Sequence, residues 1–237
     1  MSGKADALGD GRAKDARDAG PRLPMPADMP LAAMPPVARA LVEAARRLLG
    51  KKGFKALSLE AIAREAGENK AMVRYYFGDK DGLLAALVDS LIRDNQVAVN
   101  AEMRALPPGP ARIHAWADGL RRVAADTDSF YALFNLVPHI LGSDRLRPRI
   151  AELYSWYRGL NVEACLPEAE DGDPSAAGLG ALLTAVVDGI ALQALLDPDD
   201  FDPHEAFRTL GDIVEAYVTA DGTKGPPADS RTRRKPQ

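Results

Sequence analysis

From Pro36 to about residue 222, apolar side chains recur three and four positions apart, and no stretch alternates β-branched and polar residues over the length of a strand. Such a chain can bury its apolar stripes only by packing helix on helix. The 237 residues suffice for one or two domains and a sizeable core. The expected fold is all-α. The N-terminal stretch, residues 1–35, is rich in Ala, Asp, Gly and Pro without periodicity, and residues 223–237 read the same way. Both are expected to be disordered, the first as an arm and the second as a basic tail.

Local signals divide the periodic region. A first helix is expected from Pro36 to Gly53, with Val37, Leu41, Ala44 and Leu48 as its inner face. Ser58 reads as the N-cap of a second helix that ends at Gly67. Asn69 caps a short third helix over 70–77, and Asp79 caps a long fourth carrying Leu83, Leu84, Leu87, Val88, Leu91 and Ile92. Further helices follow, with a kink or end expected at Pro138 and helix starts at Asp173-Pro174 and Asp202-Pro203, where Glu205 stands at the capping-box position.

Charge is distributed unevenly along this array. Residues 36–90 hold ten Lys/Arg against seven Asp/Glu, whereas residues 91–222 hold ten against twenty-one. The first region tolerates an anionic partner and the second does not. The third helix falls in the basic region. Val73 and Phe77 share one face and can pack inward, while Lys70 and Arg74 share another beside Ala71 and Tyr75. Eight residues make a helix about 12 Å long, a match for the major groove. Helices two and three around Gly67 thus form a helix-turn-helix, whose second helix reads base edges. Lys70 and Arg74 can bond phosphates or guanine, and Tyr75 and Tyr76 offer hydroxyls and rings. Ser58 and Lys80 stand at helix N-termini that favour phosphate. The competing reading is a solvated helix face with two surface tyrosines.

The stretch LSLEAIAREAGENKAMVRYYFGDKDGLL resembles the DNA-binding segment of the TetR family of bacterial transcriptional regulators. The shared elements are the Ser58 cap, Ile62-Ala63, Ala66-Gly67, Tyr75-Tyr76-Phe77, Lys80 and Leu83-Leu84. The resemblance implies that Ser58, Tyr76 and Lys80 take phosphates and that Lys70, Ala71, Met72, Arg74 and Tyr75 face the groove. It departs at Glu68-Asn69, at Arg74 and at Gly82, where glycine is expected to loosen the fourth helix by up to ~1 kcal/mol relative to alanine. The resemblance implies an N-terminal three-helix helix-turn-helix domain (36–92) joined by a long helix to a ligand-sensing and dimerisation bundle (93–222).

The C-terminal part resembles the subgroup that includes the choline-responsive betaine repressor. The last two long helices, about 174–196 and 203–219, are expected to form a homodimer bundle. Independently, 176–196 is nearly apolar all round, and Ala185 and Gly189 would let a partner helix approach. Aromatic residues precede them, and Trp116, Phe130, Tyr131, Phe134, His139, Tyr154 and Tyr157 are the candidates for an effector pocket, which the subgroup resemblance implies as a cage for a quaternary ammonium. At helical spacing such aromatics are more often core.

The remaining expectations are negative. His114, His139 and His204 lack metal-ligand spacing, Cys165 lacks a nucleophile signature, and no nucleotide-binding loop is present. The chain is therefore expected to be no enzyme, with no catalytic residues, metal or cofactor. Its partners would be double-stranded DNA, a second copy of itself and an unknown small-molecule effector. Its first residues have no apolar core and do not read as a signal peptide, and its longest apolar run, ALLTAVVDGIALQALL, reads as too short for a bilayer and holds Asp188, so no membrane partner and a cytoplasmic location are expected. The alternative function is a helical small-molecule-binding or protein-interaction module without a DNA role.

Overall fold

The structure, a computed structural model, describes residues 28–170 and 172–221. Nine α-helices follow one another among the described residues, and none of these residues lies in a strand. They are α1 (Pro36–Lys52), α2 (Leu59–Ala66), α3 (Lys70–Phe77), α4 (Lys80–Arg104), α5 (Pro110–Ala124), α6 (Thr127–Gly142), α7 (Leu146–Cys165), α8 (Pro174–Leu196) and α9 (Pro203–Asp221).

The starts of these helices are set locally. Ser58 Oγ accepts from the Ala61 N–H at 3.1 Å, Asn69 Oδ1 from Ala71 at 2.8 Å, and Asp79 Oδ1 from Gly82 at 2.9 Å. Each satisfies a donor that the helix itself leaves orphaned. Gly67 ends α2 at φ +70°, ψ 25°, a left-handed conformation open to glycine at no steric cost. The Glu68 N–H then returns to the Ala63 carbonyl at 2.8 Å, which fixes the angle at which α3 leaves α2. Asp173 caps α8 through Ser175, with Pro174 at its first turn. Asp202 Oδ1 accepts from the His204 N–H, whereas Glu205 pairs with Arg208 instead of closing a capping box.

Pro138 does not end α6, which runs on to Gly142. The proline is exposed, so its lost hydrogen bond falls on the solvent side, where water can replace it.

Two apolar clusters hold the array together. One joins α1–α4 to α6 and the first half of α7; Leu133, Leu136, Ile140, Leu153 and Tyr157 share it with Leu41, Val73 and Leu84. The other joins Met103 at the end of α4 to α5, α8 and α9. The core therefore does not divide at residue 92, because α6 packs directly on the N-terminal helices. Polar contacts reinforce that packing at both ends of α6. Arg46 on α1 reaches Asp126 and Ser129 at its start. At its far end His139 stacks on Phe54, with centroids 4.4 Å apart, and Ser143 Oγ donates to Asp81.

The expectation of disorder through residue 35 is corrected over 28–35. Residues Leu31–Ala33 form a 3-10 turn, Met34 is 4% exposed in the first cluster, and the Leu31 N–H donates to Asp94 on α4. Spaced apolar residues there (Met29, Leu31, Met34) supply the burial that the Pro-rich composition hid. The rest of that expected arm, 1–27, and the basic tail lie outside the described residues.

The expectation that the apolar run is too short for a membrane is also corrected. As part of α8 it belongs to a 23-residue helix long and apolar enough to cross one by length and composition. Here its inner side packs on α7, with Leu183, Thr184, Val187 and Ala191 buried.

Candidate functional site

In α3, Val73 is fully buried and Phe77 nearly so, and they anchor the helix to the first cluster. Lys70, Ala71 and Arg74 are exposed on its other side, and Tyr75 is half-buried. Met72 and Tyr76 are half-buried too, packed against the cluster, so they share the duties of core and surface. The Tyr75 and Tyr76 rings meet edge to face at 4.8 Å, which stiffens both. Ser58 is exposed at the start of α2. The eight residues expected at a nucleic-acid surface thus all lie on or beside the exposed edge of α2, α3 and the start of α4.

Two of the three basic residues there are engaged. Lys70 Nζ lies 2.6 Å from Glu60 Oε1, and its hydrogen bond holds the Glu60 carboxyl below the usual carboxylate range. Lys80 Nζ sits over the Phe54 ring, 4.6 Å from its centroid, and burial pulls its pKa below that of a free lysine. The Arg74 side chain is exposed to solvent. Glu60 and Phe54 are functional neighbours that the sequence did not single out.

The seven aromatic and histidine candidates do not converge. Phe130, Tyr154 and Tyr157 line a small cavity between α4, α5, α6, α7 and α8, together with Leu91, Ile92, Gln96, Val123, Ser129, Leu133 and Asp188. Trp116, Tyr131, Phe134 and His139 are not among its walls. Trp116 is instead a core residue, whose Nε1–H donates to Asn161 Oδ1 at 3.1 Å. Tyr131 is 47% exposed on the outer side of α6. Phe134 packs against Phe130 one turn away, with centroids 6.1 Å apart. His139 lies at the far end of α6, on Phe54 and 3.7 Å from Asp81. One helical turn separates a wall residue from an outward one, and no spacing in the sequence tells which is which.

The cavity's chemistry is concentrated on one side. Tyr154 Oη donates to Asp188 Oδ2 at 3.2 Å. Burial pushes the Asp188 carboxyl up to about 6, against the pull of that hydrogen bond. The Tyr154 and Tyr157 phenols are held well above their ordinary range, chiefly by burial and then by the Asp188 charge. Asp188 is the only charged residue in α8, a signal the sequence offered. A desolvated carboxylate flanked by two tyrosine rings is a receptor for a compact cation. The free volume is only about 20 Å³, room for about one water.

A second concavity, of about 670 Å³, runs between α8 and α9. Its lining is almost wholly apolar, with Leu182 and Ile213 each 61% exposed. Ala185 is exposed and Gly189 has open space where a side chain would stand.

Residues 41–87 match the family model described as bacterial regulatory proteins, tetR family, and residues 123–219 match the one described as BetI-type transcriptional repressor, C-terminal. Over 206 residues the chain is 31% identical to the HTH-type transcriptional regulator BetI of Rhizobium meliloti, across 82% of this chain and 96% of that relative. It is 28% identical over 200 residues to the regulator of the same name from Paraburkholderia phytofirmans, across 81% and 99%. Among solved structures, the fold is similar to that of a putative TetR-family transcriptional regulator from Rhodococcus sp., with a TM-score of 0.64 at 17% identity over 78% of this chain and 100% of that one. It is also similar to a putative transcriptional regulator from Saccharomonospora viridis in complex with choline, with a TM-score of 0.56 at 20% identity over 75% and 95%.

Proposed function

The chain belongs to the TetR family of bacterial helix-turn-helix transcriptional regulators, and from that premise we propose that it acts as a homodimeric repressor released from its operator by a small organic cation. The observation that carries the DNA half of this reading is α3 itself. Lys70, Ala71 and Arg74 face solvent over the buried Val73 and Phe77. In this reading Arg74 and Tyr75 meet base edges, Lys70 leaves Glu60 for the duplex, and Ser58, Tyr76 and Lys80 hold phosphates. The two-fold mate forms across α8 and α9, so two copies of α3 meet a pseudo-palindromic site in the cytoplasm. Residues 36–92 are the DNA-binding unit and 93–222 the sensing and dimerising one. Selection of bound sequences from a random DNA pool tests this directly. Enriched sites with two-fold symmetry are expected, and enrichment without symmetry would overturn the dimeric reading.

Arg74→Ala is expected to weaken operator binding by roughly 1–3 kcal/mol and to relax base preference at one position per half-site. Lys80→Ala should weaken all sequences about equally and flatten the dependence of log K on log salt by about one phosphate contact. Binding measured across an operator-variant panel at several salt concentrations separates the two roles. Equal losses on every sequence for both variants would remove the assignment.

The cation half rests on Asp188, Tyr154 and Tyr157. Choline is the probe of choice, because a similarly folded regulator is known in complex with it. Choline requires the Asp188 carboxylate, so protons compete with it. With the carboxyl near 6, affinity should be constant above pH 7 and fall about tenfold per pH unit below 6. Folding linkage has the matching sign. A raised carboxyl pKa favours the protonated native state, so the stability from Asp188 is present at low pH and lost as pH rises through 6. The melting-temperature gain from choline should therefore be larger at pH 7.5 than at pH 5 and vanish in Asp188→Asn. A gain independent of pH would mean that choline binds elsewhere.

A further inference from the structure

Ser129 is a polar link between the cavity and the N-terminal helices. Ser129 forms part of the cavity wall and is only 3% exposed. Its hydroxyl donates to Asp126 Oδ2 and accepts from Arg46 Nη2. The same Arg46 nitrogen donates to Asp126 Oδ2 at 2.9 Å. Arg46 belongs to α1, and Asp126 is the N-cap of α6, accepting from the Ser129 N–H at 3.2 Å. Arg46 thus bonds two groups 80 and 83 residues further along the chain, tying the first turn of α6 to α1 directly behind the cavity.

The free space behind that tie holds about one water. An organic cation has several times that volume, so it cannot enter without moving a wall. The walls from α4 and α7 include Leu91, Ile92 and Tyr157, which are bound into the first cluster. The start of α6 is a wall held to α1 by polar contacts that water can replace, because the Arg46 and Asp126 side chains are 39% and 35% exposed. Its far end stays pinned by the His139–Phe54 stack and by Ser143 on Asp81. Occupancy would swing α6 about that end.

We propose that Arg46, Asp126 and Ser129 form the joint through which cavity occupancy is read by α1: filling the cavity lifts the start of α6, parts Arg46 from Asp126 and Ser129, and frees the helix-turn-helix from its operator-binding pose. The proposal rests on the cavity being the effector site. It adds which residues carry the signal. A ligand hydroxyl would act in the same direction, because it competes with the Arg46 guanidinium for the Ser129 oxygen.

The test needs no effector. Leu133→Phe, one turn after Ser129 on the cavity wall, serves as a built-in occupant; Arg46→Gln cuts the joint from the other side. Operator affinity of the full chain is measured for both variants and for the double variant, with helicity and melting confirming the fold. Each single variant is expected to lose about tenfold, and the double variant no more than either alone, because both act through one joint. Losses that multiply would overturn the proposal, as would wild-type affinity in either single variant. Arg46→Gln, whose side chain is not part of the cavity wall, supplies a second reading. It should leave the affinity for choline within about threefold by calorimetry while the ratio of operator affinities without and with choline falls towards one. An unchanged ratio would overturn the joint. Absence of choline binding to the wild-type protein would instead remove choline as the effector and leave the double-variant result to decide the joint.

Discussion

Gly82→Ala should destabilise the protein by about 2–3 kcal/mol, lower its melting temperature by roughly 5–10 °C and weaken operator binding with it. Helix propensity predicts the reverse, a gain of up to ~1 kcal/mol for alanine in the first turns of α4. Packing decides the sign. A β-carbon on Gly82 would stand 3.0 Å from the carbonyl carbon of Phe77 and well inside the van der Waals surface of its oxygen. Both are backbone atoms, so no side chain can swing away. The last turn of α3 and the first turn of α4 would have to separate, against the Asp79 cap on the Gly82 N–H and the burial of Phe77 and Leu83. Because Phe77 also anchors the helix that presents Arg74, the cost reaches the DNA surface. Thermal melting followed by circular dichroism, with operator titration alongside, reads both effects. A melting temperature raised by the substitution would show that the α3–α4 corner is looser than described.

The glycine also marks where reading the sequence stops. Ser58, Asn69 and Asp79 cap donors two or three residues away, so their roles were legible from spacing alone. The inward Val73 and Phe77 and the outward Lys70 and Arg74 followed from helical periodicity. Gly82 looked like a poor helix former because the atoms that require it lie in the preceding helix, around a corner whose tightness is tertiary. The candidate effector site was less legible for the same reason. Phe130, Tyr154 and Tyr157 meet at the cavity, but only the crossing of α6, α7 and α8 separates them from Trp116, Tyr131, Phe134 and His139. Nor does any local pattern bring Arg46 to Asp126, or Trp116 to Asn161. Asp188 was the exception, a lone charge in an apolar helix. It was read only as an argument against a membrane span, although a half-buried carboxylate without a basic partner at hand is itself a pointer to a cationic ligand.

Glutamate at both Leu182 and Ile213 should convert the protein to a folded monomer and cost at least about a hundredfold in operator affinity. The two side chains are each 61% exposed on neighbouring helices and line the same apolar groove. In a lone chain a charge there stays in water, so helicity should persist. In a two-fold dimer each substitution appears twice and falls on the apolar centre. There it forfeits roughly 1.5–3 kcal/mol of burial per side chain and places unpaired carboxylates out of water, at several kcal/mol each. Operator binding depends on that association, because the second half-site is bound at the high effective concentration that dimerisation provides, worth roughly 10²–10⁴ in avidity. Sedimentation should report the monomer mass, while choline, if it binds at Asp188, should still raise the melting temperature, since the cavity is built from one chain. That combination of lost operator affinity with retained ligand response assigns the α8–α9 face to assembly and the interior cavity to sensing. A variant that remained dimeric would move the interface elsewhere. A variant that became monomeric yet kept full operator affinity would mean that each half-site is bound independently.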